Sequence, residues 1–311
     1  MPAPAEATGP SGPSGPEPSN DGPTRDAAPA PSTATEQASA ELRRTLVAAM
    51  QAMACPAAAV LVQHGTAPPR AWWIGHADFT TGARVHAGTP WRIGSVSKLF
   101  VGTVALRLAD RRALDLDATL AQHGLVLPSA GAITLRMLGR HTSGLPEPIA
   151  SFAFQARVVR EPLRTWTLAE QIDAAFAAGA PRAPGAGFAY SNLNTLLLAE
   201  VVERVAGRPF ARVLADEVLA PLGVPDVHVA RDPEPGLPHG WRHARPERPM
   251  GFGTQFADVS WLAAHWTGAA GDLVATAGDL LRAIKPLATG ALLSPSVRLA
   301  QRQWGDTGEP G

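Results

Sequence analysis

Apolar positions in this chain first become periodic at Leu42. Leu42, Leu46, Val47, Met50 and Met53 fall at helical spacing, and Cys55-Pro56 ends that run. Residues 58–63 (AAVLVQ) read as a buried strand, 65–70 as a turn and 71–74 (AWWI) as a second strand. The two predict a hairpin belonging to a sheet. Val96, Phe100, Val104 and Leu108 recur every four residues, which predicts a helix with one buried stripe. Residues 114–146 read as turns around a short helix, 168–178 as a helix, and 181–187 as a loop rich in Pro and Gly. The next helix spans 192–206, its apolar face formed by Leu197, Leu198, Val201, Val202 and Val205. Gly207 stops it and Pro209 follows. Further helices are expected over 210–219, ending at Pro221, and over 279–287. The Pro- and Arg-rich stretch 231–250 reads as an exposed, solvated loop. The loops at 147–165 and 231–265 are expected to shape the pocket, with no readable code in either.

Composition narrows the class. With 45% hydrophobic and 17% charged residues, the 311-residue chain has the balance of a soluble globular protein. Its formal net charge of zero points to neither nucleic acid nor an anionic membrane. No run of 18 apolar residues occurs, so no spanning helix is expected. Cys55 is the single cysteine, which excludes an internal disulfide and a cysteine-rich zinc site. The nine histidines show no tight ligand spacing, so neither metal nor cofactor is expected. Residues 1–40 hold nine Pro and four Gly and no Leu, Ile, Val, Phe, Tyr or Trp. Such a segment is expected to be a disordered tail. It lacks the pattern of a signal peptide, so the chain as written reads as cytoplasmic, or as exported if its start lies elsewhere.

The basic residues carry the sharper signal. Of 27 Lys and Arg residues, all but Lys98 and Lys285 are arginine. Arginine cannot give up its proton in a protein, whereas lysine can when desolvated. Lys98 stands three residues after Ser95, so in a helix the two share one face. An apolar groove around Lys98 would favour the neutral amine, able to take the Ser95 proton and activate a nucleophile. The helix N-terminus would favour the anion that develops in acyl transfer. The only tyrosine, Tyr190, lies in Tyr190-Ser191-Asn192. Tyr190 could relay a proton, and Asn192 could hold a substrate amide. The blander readings are a packed tyrosine and a helix N-cap at Asn192. Cys55 reads as an inert thiol, His141 as structural, and Trp72 and Trp73 as strand packing.

Residues 93–100 (IGSVSKLF) resemble the first motif of class C β-lactamases and the related D-alanyl-D-alanine carboxypeptidases. Residues 141–146 (HTSGLP), 188–192 (FAYSN), 221–224 (PLGV), 239–241 (HGW) and 270–280 (AGDLVATAGDL) are similar to later segments of that family, and the match covers roughly 42–300. The resemblance implies a β-lactamase/transpeptidase-like fold, α/β with an all-helical subdomain. An antiparallel sheet, built from both chain ends, is flanked by helices, with the site between the two parts. It implies a serine acyl-enzyme mechanism: Ser95 the nucleophile, Lys98 and Tyr190 the acid–base pair, Asn192 a substrate-binding residue. The Ser95 N–H would be half of an oxyanion hole. Expected substrates are D-Ala-D-Ala peptides, β-lactams or carboxylic esters.

One family element is missing from the sequence. The third motif, K-T-G or H-T-G on a late strand, has no clean match. Lys285 is followed by Pro286-Leu287, His265-Trp266-Thr267-Gly268 has an extra residue, and Asp306-Thr307-Gly308 comes within three residues of Gly311. The expectation is a hydrolase domain over 41–311 lacking its C-terminal sheet strands, with the 58–74 hairpin short of sheet neighbours. The alternative is an inactive binding protein of the same fold, or a non-functional fragment.

Overall fold

The structure is a computed structural model that describes residues 33–53, 55–78, 81–230, 237, 241–244, 255–258 and 266–301. The chain divides into two units, 1–45 and 46–311. Of the first, residues 33–45 are described, and they form the opening turns of helix α1 (Thr33–Ala52). This helix starts nine residues before the apolar spacing does. The segment TATEQASAE is rich in Ala and Glu, which favour helix without needing a buried stripe. The rest of the expected 1–40 tail lies outside the described residues.

In the second unit, β1 (Ala57–Val62) and β2 (Arg70–Gly75) form the expected antiparallel hairpin, with Ala59 opposite Trp73 and Val60 opposite Trp72. Trp72 is buried and Trp73 packs on a small cluster of Ala57, Ala77 and Val85, so both tryptophans serve as packing. Among the described residues this hairpin is a two-stranded sheet, not part of a wider one. A second sheet has the order β3 (Pro90–Arg92), β7 (Leu273–Thr276), β4 (His228–Val229), all antiparallel. Its strands are two to four residues long, too short for a period-2 pattern to mark.

The helices between them make the core. They are α2 (Ser97–Asp110), α3 (Leu135–Gly139), α4 (Phe152–Arg160), α5 (Leu168–Ala178) and α6 (Asn192–Ala206). Then come α7 (Phe210–Leu214), a π turn over Ala215–Leu219, and α8 (Ala220–Leu222). The expected single helix over 210–219 is therefore interrupted, and its last turn runs one residue past Pro221. Strand β5 (Trp241–Ala244) pairs with β6 (Gln255–Asp258), so the expected loop 231–250 contains a strand. The remainder of 231–250, apart from residue 237, lies outside the described residues, as does His239. Likewise, 147–165 is not all loop. A 3-10 turn at Pro148–Ala150 leads into α4, which Ser151 caps by accepting from Phe154 N–H. The last helices are α9 (Ala277–Thr289), longer than the expected 279–287, and α10 (Pro295–Gln301).

Helix α2 sits at the centre, packed on α6, α7 and α9. Phe100, Val101 and Val104 of α2 are fully buried against Leu193, Leu197 and Val201 of α6. Burying side chains of this size stabilises the fold by about 1.5–3 kcal/mol each. α6 has the expected stop at Gly207, which is left-handed (φ +64°), while its cap is Ser191, whose Oγ accepts from Leu193 N–H. Asn192 is therefore not the cap. Among the described residues, no helix is long and apolar enough to cross a membrane.

Candidate active site

Three segments converge on Ser95. The first is the 3-10 turn Gly94–Val96 that feeds α2 and carries Ser95 itself. Ser97, fully buried, accepts from Leu273 N–H at 3.2 Å, and Ile93 N–H donates to Leu273 O at 3.0 Å. These two bonds pin the start of α2 to β7 and leave Ser95 exposed. The second segment is the start of α6 with Tyr190, and the third is the turn before β7.

Lys98 Nζ donates to Ser95 Oγ at 3.1 Å, as the i, i+3 spacing requires. It also donates to Asn192 Oδ1 at 2.7 Å and to the Ala270 carbonyl at 2.7 Å. The expected apolar groove is therefore a cage of oxygens. A three-donor ammonium finds one acceptor for each N–H there. Tyr190 Oη lies 2.9 Å from Ser95 Oγ and donates to Asn192 Oδ1 at 3.4 Å, and Lys98 Nζ is 5.1 Å from the tyrosine ring centroid. All four residues singled out by sequence thus form one cluster, in which Lys98 and Tyr190 each reach both Ser95 Oγ and Asn192 Oδ1.

Two further residues take part that sequence reasoning passed over or read as structural. His141 stacks on Tyr190, ring centroids 4.8 Å apart and planes 10° from parallel. It occupies the left-handed region (φ +53°) just past α3, which costs a non-glycine residue about 1–2 kcal/mol. Its Nδ1 accepts from Ser191 N–H at 3.2 Å and lies 3.0 Å from Asn194 Nδ2, which places the proton of the neutral ring on Nε2. Burial first, and the Lys98 charge second, lower its pKa to about 4. Glu147 is the second: Asn192 donates to it through both its backbone N–H (2.7 Å) and its side-chain Nδ2 (3.0 Å). The segment 141–147 is itself gripped by α6. Ser191 Oγ donates to Pro146 O at 2.8 Å, and buried Asn194 accepts from Ser143 Oγ.

Two predictions arise here. In the unfolded chain His141 titrates near 6.5, in the fold near 4. Between these values the unfolded state binds more protons, so stability falls as pH drops from about 6.5 to about 4. The urea midpoint should therefore fall from pH 7 to pH 5, and His141→Asn should flatten that slope. Gly144 (φ +76°) lets the 141–147 segment meet the following loop: a Cβ there would sit 2.3 Å from Arg182 O. Gly144→Ala is expected to destabilise the fold by about 2 kcal/mol, read as a lower urea midpoint with an unchanged slope.

Cys55 is a half-buried free thiol that contacts Ala57 O at 3.2 Å and has no part in the site. Among the described residues no cluster of His, Cys, Asp or Glu could hold a metal. Of the third-motif candidates, Lys285 lies within α9, while His265 and 306–308 lie outside the described residues.

The central helix, the flanking antiparallel strands and this Ser–Lys–Tyr–Asn cluster define a β-lactamase/transpeptidase-like fold. Comparison with known proteins agrees. The Beta-lactamase family model matches residues 42–311, and the chain belongs to that family. It is 31% identical over 257 residues to Esterase EstB of Burkholderia gladioli, covering 74% of this chain and 65% of that protein. It is 30% identical over 149 residues to D-alanyl-D-alanine-carboxypeptidase/endopeptidase AmpH of Escherichia coli, covering 46% and 37%. The chain thus spans between about a third and two thirds of these relatives. The D-amino acid amidase of Ochrobactrum anthropi shares its fold at a TM-score of 0.72 and 23% identity, over 83% of this chain and 74% of the amidase. The D-stereospecific amidohydrolase of a Streptomyces species does so at 0.69 and 26%, over 81% and 74%.

Proposed function

We propose that this protein is a serine hydrolase that forms an acyl-enzyme on Ser95, acting on D-Ala-D-Ala peptides, β-lactams or carboxylic esters. The reading assigns the activity to residues 41–311, with 1–40 outside the hydrolase domain. The observation that carries it is the position of Ser95 Oγ, 3.1 Å from Lys98 Nζ and 2.9 Å from Tyr190 Oη. A hydroxyl held by two groups able to move a proton is the arrangement an activated nucleophile needs.

In the first half-reaction Ser95 Oγ bonds to the substrate carbonyl carbon. Its proton passes into the Tyr190–Lys98 pair, and that pair returns a proton to the departing amine or alcohol as its bond to the carbonyl carbon breaks. In the second, water gives a proton to the same pair, attacks the acyl carbon and releases the acid, and Ser95 regains its proton. To take the Ser95 proton the pair begins the reaction one proton short, which a lysine at position 98 permits and an arginine would not. Asn192 contributes through Lys98, and its second Nδ2 proton remains for a substrate carbonyl. The names of the relatives, an esterase and a carboxypeptidase/endopeptidase, fit acyl transfer through one common intermediate. Convergence of Ser95, Lys98, Tyr190 and Asn192 supports this over a binding protein that keeps the fold without the chemistry.

The test is turnover of a p-nitrophenyl ester, a chromogenic cephalosporin and a D-alanyl-D-alanine dipeptide by the full chain beside Ser95→Ala. Turnover of at least one, lost in the variant, is expected. A folded chain that turns over none contradicts the reading.

A further inference from the structure

We infer that Glu147 is a positioning residue that sets which way the Asn192 amide faces, and through it holds Lys98 against Ser95. The inference rests on the hydrolase reading above. A carboxylate can only accept hydrogen bonds. Three donors converge on this one: Asn192 N–H on Oε2 at 2.7 Å, Asn192 Nδ2 on Oε1 at 3.0 Å, and Ile149 N–H on Oε1 at 2.9 Å. The backbone bond fixes where the carboxylate sits, beside the first residue of α6. Its second oxygen then faces the Asn192 side chain and admits only the NH2 end. Oδ1 must therefore point the other way, where it accepts from Lys98 Nζ at 2.7 Å and from Tyr190 Oη at 3.4 Å.

The amide is a two-sided object whose ends differ in hydrogen-bonding sense but hardly in shape. Flipped, it would set Nδ2 against Lys98, donor against donor, and the ammonium would lose one of its three acceptors. Glu147 is thus what makes one orientation the stable one. Oε1 also caps the Pro148–Ala150 turn by accepting from Ile149 N–H, so loss of the cap is read in the urea midpoint and loss of orientation in the acylation rate.

Glu147→Gln tests the orienting role. Gln keeps the size of Glu but has one oxygen: at the Oε2 position it accepts from Asn192 N–H, and the NH2 group takes the Oε1 position and gives up the Ile149 bond. Its NH2 group then faces Asn192 and favours the flipped amide. The expected result is a fall of about 100-fold in the Ser95 acylation rate with a p-nitrophenyl ester, with KM little changed and the urea midpoint lowered only slightly by the lost cap bond. In an Asn192→Asp background the sign should reverse. An aspartate side chain at position 192, facing Glu147, sets two carboxylates together. Adding Glu147→Gln gives a donor toward one oxygen of that aspartate and leaves the other for Lys98, so the double variant should acylate at least about tenfold faster than Asn192→Asp alone. A Glu147→Gln rate within threefold of the parent, or an equal loss in both backgrounds, overturns the inference. If the parent chain does not acylate at all, the hydrolase reading fails separately. Glu147 is then judged by the Asn192 side-chain NH2 signal in asparagine-labelled protein. A signal that Glu147→Gln leaves in place overturns the orienting role, and one that moves while backbone signals stay upholds it.

Discussion

Ser95→Ala is expected to abolish acyl-enzyme formation and to lower turnover by a factor on the order of 10⁵, the scale on which removal of a serine nucleophile acts. Nothing else in the site can replace it. Among the described residues Cys55 is the one free thiol, and it contacts Ala57 O, not the cluster. The fold should be indifferent to the change. Ser95 is exposed, and its Oγ bonds to Lys98 and Tyr190, neither of which leaves a buried polar atom alone when it goes: Lys98 keeps Asn192 and Ala270, and Tyr190 keeps Asn192. A circular dichroism spectrum and urea midpoint matching the parent are therefore part of the prediction. Loss of activity with loss of fold would point to a structural role for Ser95 instead.

Lys98→Arg should cost on the order of 10³-fold in kcat although it preserves the charge, within the range that acid–base groups contribute. The planar guanidinium cannot give up its proton, and its forked donors do not match three acceptors arranged around one nitrogen. The chain's strong preference for arginine makes this the informative substitution. If charge alone were needed, an arginine here would serve, and Lys98→Arg would retain most of the activity. A Lys98→Met control, which removes charge and proton together, should fall at least as far. Measuring both with the same ester separates loss of the proton from loss of the cation.

Much of the fold was legible because its signals are local. The α6 span followed from its apolar face and the glycine after it, and the 58–74 hairpin from two short apolar runs around a turn. Ser95 and Lys98 were found together because the 3-10 turn of Ser95 runs directly into the helix of Lys98, where spacing in sequence is distance in space. The Tyr190 and Asn192 roles needed the resemblance, since no spacing rule joins residues some 95 positions apart. Glu147 was missed for the same reason: its carboxylate reaches Asn192 across 45 residues and carries no motif of its own. The Ala270 carbonyl was invisible because every residue has one, and only the fold decides which faces the lysine. The oxygens around the Lys98 amine were not foreseen, because Asn192 and the Ala270 carbonyl lie far from it in sequence. The stripe of Phe100, Val104 and Leu108 faces the core, while Lys98 lies off it, toward the start of α6. Helix α4 was hidden because residues 152–160 expose Phe152 and bury only Phe154 and Val158, too few positions to establish a period.

The most direct test of the account is the intact mass of the chain after brief exposure to a p-nitrophenyl ester and, separately, to benzylpenicillin, with Ser95→Ala alongside. One acyl group from at least one reagent is expected, located on the peptide that carries Ser95 and absent from the variant. A folded chain that gains no mass from either reagent, or an adduct that persists in Ser95→Ala, would contradict it.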